Sequence, residues 1–172
     1  MLTLLAKLLK ALNAEGSPAQ VSLGFTLGMV VGLTPLWTVS NLFWLLVALV
    51  FRINLTAFFL AAVVFSGIAY LFDPSMERLG YWLLNLPALQ DLWTAAYNND
   101  LLRLTRFNNT LVLGGLVSGL VLALPFYLLS NFLVKNYRQH LLAWVRKTKL
   151  VKLLKASNFY KVYERLSIGG PA

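Results

Sequence analysis

At 172 residues the chain is long enough for one domain with a sizeable core. Its 59% apolar and 12% charged residues stand far from the roughly 45–50% and 25% of soluble domains, and point to an integral membrane protein. The lack of cysteine excludes disulfides, thiolate metal sites and cysteine nucleophiles. The net charge of +9 does not decorate a soluble surface, because nine of the fifteen Lys and Arg fall from Lys135 onward, directly after the last apolar stretch. Such a cluster beside a membrane segment holds it on the cytoplasmic side and meets anionic lipid, so nucleic acid is not the expected partner.

Residues 1–16 begin the chain with Leu2, Leu5, Leu8, Leu9 and Leu12 at helical spacing and with Lys7 and Lys10 between them. The pattern predicts an amphipathic interfacial helix, retained in the mature protein because its lysines lie within the apolar run instead of ahead of it. Ser17-Pro18 is a helix start, a capping hydroxyl followed by a residue suited to the first turn. Membrane helices are expected at 21–33 and 37–51, separated by Thr34-Pro35. Counted generously they are 18 and 16 residues, about 27 and 24 Å, against a hydrocarbon thickness of roughly 30 Å. The pair is therefore two short tilted spans or a re-entrant hairpin. Gly24, Gly28 and Gly32 fall on one helical face before Pro35 and predict that the hairpin is glycine-packed, its two helices in close approach.

A third membrane segment is expected at 54–72. Asp73-Pro74 repeats the start signal and opens a region, 73–109, of short helices along the non-cytoplasmic surface, with Tyr81, Trp82, Trp93 and Tyr97 as interfacial aromatics. Residues 110–134 carry no ionisable group and form the last span, with Pro125 at a kink. Gly115 and Gly119 add a second small-residue pair suited to packing. The stretch 135–172 is a basic cytoplasmic tail in which Arg146, Lys147, Lys149, Lys152 and Lys155 contact anionic lipid. The reading is thus a single membrane domain, all-α, with about four membrane segments and flanking interfacial helices. With both termini inside, twelve Lys and Arg lie on the inner side and Arg78, Arg103 and Arg106 alone on the outer.

All six acidic residues lie outside these spans, which argues against proton coupling. His140 is the single histidine and has no companions for a triad or a metal site. No catalytic, cofactor or metal residues are assigned, and the protein is not expected to be an enzyme. Ser22, Thr26, Thr38, Ser40, Asn41, Ser66, Ser118 and Ser130 are among the polar residues of the spans, suited to interhelical hydrogen bonds or, as the lesser alternative, to lining a narrow hydrophilic path. Asn41 is the candidate functional residue among them, since an amide in an apolar run needs a partner.

Ser17-Pro18, Leu23-Gly24-Phe25, Gly28, Gly32 and Pro35 together resemble a bacterial membrane family known as a domain of unknown function, number twenty sixty-two. The Leu-Thr-Arg-Phe-Asn-Asn-Thr stretch at 104–110 and the Ala-Trp-Val-Arg-Lys-Thr stretch at 143–148 extend the likeness over the whole chain. Where the family places a further glycine after the proline, this chain has Leu36-Trp37-Thr38. The resemblance implies the inner membrane of a bacterium with an outer membrane, and a protein partner or a homo-oligomer; it carries over no site residues. The expected role is a non-enzymatic small subunit or scaffold of an envelope complex. The alternative is a passive transporter of lipid or small solute that uses the short hairpin.

Overall fold

The computed structural model of the chain describes residues 16–35 and 37–141, without the side chains of 140 and 141. The amphipathic helix expected before Gly16, the His140 side chain, and Arg146, Lys147, Lys149, Lys152 and Lys155 lie outside the described residues.

The described chain is all-helical. Helix α1, Pro18–Gly32, starts where sequence says it should: the Gln20 amide donates to Ser17 Oγ at 3.2 Å and the Ser17 amide to Gln20 Oε1 at 2.9 Å. This reciprocal box satisfies two amides that an uncapped helix leaves without partners. Helix α2 spans Val39–Val50. Helix α3, Leu55–Leu84, is capped by Asn54 Oδ1, which accepts from the Ala57 amide at 2.8 Å. A 3-10 turn, Pro87–Leu89, leads into α4, Gln90–Tyr97, and α5, Asp100–Leu104. Asn109 then caps α6, Thr110–Asn136, accepting from the Leu111 and Val112 amides at 3.0 Å. A wider π turn, Tyr137–Leu141, follows.

Three helices make the core. The glycine stripe of α1 lies on the start of α3: Gly24 sits against Asn54 and Ala57, Gly28 against Phe58 and Ala61, and Gly32 against Ala62 and Phe65. Sequence numbers rise together along the contact, so α1 and α3 are parallel. Helix α6 runs the other way, with Gly115 against Leu33, Gly119 against Val30, and Val134 beside Val21. Helix α2 returns along the outside, seating Trp44, Leu45 and Ala48 on Val31, Phe58 and Ala62. The ends of the described chain therefore meet, and Arg138 donates to the Gly16 carbonyl at 2.7 Å.

Three expectations change. The nearest neighbours of Gly24, Gly28 and Gly32 belong to α3 and not to the hairpin partner α2. The reason is that α3 offers Ala57, Ala61 and Ala62 as matching small residues, whereas α2 presents bulky side chains. Secondly, Asp73-Pro74 does not begin a helix; α3 runs through it to Leu84. Proline removes only the bond that the Tyr70 carbonyl would accept, and Ala69 and Met76 on either side are buried in the core. The separate short helices are confined to residues 85–109. Thirdly, among the described residues two helices are long and apolar enough to cross a membrane, Leu55–Leu84 and Thr110–Gln139, so four membrane segments are not confirmed. Helices α1 and α2 are apolar but have 15 and 12 residues, about 22 and 18 Å.

Candidate functional site

Helix α3 meets α6 a second time beyond the glycine stripe. Gly80 lies directly on the Thr110 carbonyl, and Gly114 directly on the Met76 carbonyl. A methyl group at either position would meet backbone, which has no rotamer by which to yield. This crossing joins the far half of α3 to the first turn of α6 and fixes what stands on those two elements. Sequence reasoning selected Gly115 and missed both residues. Gly80 stands alone in a charged stretch, so spacing gives no warning of it; Gly114 is masked by its neighbour.

Beside this crossing the α1 to α2 turn is closed by a polar knot. Thr34 Oγ1 lies 2.9 Å from the Val31 carbonyl and 2.7 Å from Asn41 Oδ1, and Asn41 Nδ2 donates to the Pro35 carbonyl at 2.9 Å. Thr34 and Asn41 are both buried. The amide singled out by sequence thus ties the first turn of α2 to the non-helical backbone at Pro35, supplying partners that irregular backbone in an apolar setting requires. Ser22 and Thr26 turn their hydroxyls back on the Pro18 and Ser22 carbonyls, each at 2.8 Å, and so are internally satisfied.

Two adjoining hollows open over the knot, of about 350 and 620 Å³. Pro35, Trp37, Asp73 and Leu111 line both. The smaller continues over Ser66 and Tyr70, the larger over Thr38, Glu77, Arg106 and Asn109. Asp73 and Glu77 are one turn apart on α3. Arg106 faces them from the turn before α6, where its φ of 58° places a non-glycine residue in the left-handed region. The Asn109 amide donates to the Arg106 carbonyl at 2.9 Å and closes that turn.

Among the described residues the ion pair is Asp100 with Arg103 at 2.7 Å, on the surface; Asp73, Glu77 and Arg106 make none. The hydroxyl oxygen of Thr38 is buried with no hydrogen-bond partner among the described residues. The cavity therefore presents charges of both signs. Two carboxylates and one guanidinium on its walls can accept and donate hydrogen bonds respectively. No group of three or more His, Cys, Asp or Glu able to hold a metal occurs among the described residues.

An all-helical bundle with small residues at its crossings and a mixed-charge hollow at one end is the class that these features define. The chain belongs to the family described as "Uncharacterized protein conserved in bacteria (DUF2062)", whose model matches residues 3–142. It is similar to a protein of Treponema pallidum (strain Nichols), itself described as uncharacterized. The two are 36% identical over 144 residues, which is 82% of this chain and 87% of the relative. No solved structure matches the chain.

Proposed function

We propose that the protein is an integral, multi-pass protein of the bacterial inner membrane that acts without catalysis, as a small subunit or scaffold of an envelope complex. The observation that carries this reading is the apolar exterior of the bundle. Ser22, Thr26, Ser40, Asn41 and Ser130 are buried, while Leu42, Phe43, Leu46, Val63, Leu71, Val121, Leu124 and Phe132 point outward. Only 33% of the apolar stretch of α3 and 28% of that of α6 is buried inside the bundle, unlike a core helix of a soluble protein. A surface of this kind needs hydrocarbon against it, and small residues at the crossings are how helices associate in lipid.

In this reading α3 and α6 cross the bilayer, and α1 with α2 enters and leaves from one side. The meeting of Gly16 with Arg138 and of Asn54 with Gln20, whose backbones bond at 3.3 Å, supports both termini on that same side. The balance of Lys and Arg supports calling it cytoplasmic. Purification in mild detergent after crosslinking in cells is expected to recover a defined hetero- or homo-oligomer. A monomer with no crosslinked partner would overturn the subunit reading.

The alternative, passive movement of lipid or small solute, draws on the short α1 and α2 and on the hollow above their turn. Proteoliposomes should then exchange a fluorescent lipid or small solute faster than empty liposomes do. Equal rates would remove this alternative and leave the subunit reading in place.

A further inference from the structure

The hollow over the α1 to α2 turn has a chemistry that narrows what it binds. The geometry points to the headgroup of a zwitterionic phospholipid carrying a phosphate and a primary amine, with the phosphate on Arg106 and the ammonium between Asp73 and Glu77. The inference rests on the membrane reading above and names a ligand for the same site. Three observations carry it.

First, the charges are opposed across one cavity and unspent. Asp73 and Glu77 stand on α3, Arg106 on the turn before α6, and all three line the larger hollow without an ion pair among them. A plain anion would meet two carboxylates there, and a plain cation a guanidinium. A molecule with both charges a few bonds apart satisfies all three groups, and mismatched charge is what excludes the others. Secondly, Thr38 lines the same hollow, and its hydroxyl oxygen is closed off from solvent with no hydrogen-bond partner among the described residues. A rotation about χ1 would turn that hydroxyl toward a phosphate oxygen. Thirdly, the mouth is amphiphilic. Trp37, 95% exposed, and Tyr70, 78% exposed, flank it, with Leu71 and Phe72 exposed beside them on α3. Aromatic side chains of this kind settle at the level of lipid headgroups, and the exposed apolar residues beside them give acyl chains a surface to follow.

The crossing of Gly80 and Gly114 holds together the backbones that carry these charges. It brings the turn of α3 that bears Glu77, between Met76 and Gly80, onto the first turn of α6, which begins four residues beyond Arg106. The Glu77 and Arg106 side chains themselves are exposed.

The test uses the full chain purified in detergent, given an equimolar mixture of phosphatidylethanolamine and phosphatidylglycerol, and read by native mass spectrometry. The expected result is preferential retention of phosphatidylethanolamine, by about tenfold, the size of one charge-assisted contact. The double variant Asp73→Asn/Glu77→Gln should bring the two lipids to parity. Arg106→Gln should reduce retention of both. The variant Arg103→Gln, whose ion pair lies outside the cavity, should behave as the parent chain. Equal retention by the parent, or an unchanged preference in the double variant with parental thermal stability, would overturn the proposal. Displacement of the lipid by soluble O-phosphoethanolamine at equal headgroup concentration would assign the hollow to a free zwitterion and overturn the lipid assignment. Resistance of the cell-expressed protein to carbonate extraction separates the two levels: extraction would sink the membrane reading, whereas retention in membranes without lipid selectivity would sink only this one.

Discussion

At the scale of single residues, the bundle turns on where a hydrogen stands in place of a methyl group. Gly80 and Gly114 each lie on a carbonyl of the opposing helix, so Gly80→Ala or Gly114→Ala must separate α3 from α6. Overpacking of this kind costs about 1–3 kcal/mol, and either variant should lower the thermal midpoint in detergent. Gly67 has nothing within 4 Å of the position a Cβ would take. Gly67→Ala should therefore leave the midpoint unchanged or raise it, since alanine favours a helix over glycine by roughly 0.5–1 kcal/mol. A reversed order of these variants would contradict the packing described. The spacing of Gly24, Gly28 and Gly32 drew attention to α1, but no feature of a linear sequence says which helix lies opposite. Asn41 shows the same division. An amide in an apolar run stands out by type, while its job of holding Thr34 and Pro35 depends on the fold of the turn. Asn41→Ala should lower the midpoint by an amount corresponding to about 1–3 kcal/mol, the penalty of leaving buried polar groups without partners.

At the scale of elements, helix starts were legible where chemistry is local. Ser17 with Gln20, Asn54 and Asn109 each cap within three residues; of these the sequence reading named Ser17 as a cap and missed Asn54 and Asn109, whose signal is equally local. Asp73-Pro74 carries the same local signal and begins nothing. What overrides it is tertiary: Met76 in the core and Gly80 on Thr110 keep the helix continuous through the one missing bond. Two substitutions separate these cases. Ser17→Ala should destabilise the protein by about 1 kcal/mol, the typical worth of a cap. Pro74→Ala should leave stability unchanged or improve it, because it restores an amide to the Tyr70 carbonyl in an existing helix. A loss on Pro74→Ala matching that of Ser17→Ala would restore the reading of Asp73-Pro74 as a helix start.

At the scale of the whole molecule, composition announced an apolar protein, and the arrangement of that apolar surface gives the announcement its meaning. Large apolar side chains face out all along α2, α3 and α6, while the interior mixes apolar residues such as Phe58 and Met76 with buried Ser40, Asn41 and Ser130. That α1 and α2 are short was legible, and they prove shorter still at 15 and 12 residues; whether such a pair crosses or re-enters was not, since apolar length alone does not decide it. If α3 and α6 span and the termini are cytoplasmic, cysteine placed at Asn98 should react with an impermeant maleimide in intact spheroplasts. Cysteine at Arg52 should react only after the membrane is opened. The chain contains no native cysteine, so each single substitution reports one position.

The outward face of α2 offers the most direct test of lipid coverage. Leu46 is 53% exposed on the bundle and would be open to water in a soluble protein. With Leu46→Cys in native membrane vesicles, opened so that both faces are accessible, a water-soluble maleimide is predicted to leave residue 46 unmodified until denaturant is added. Labelling of residue 46 in native vesicles as fast as that of a cysteine at Asn98 would contradict the account.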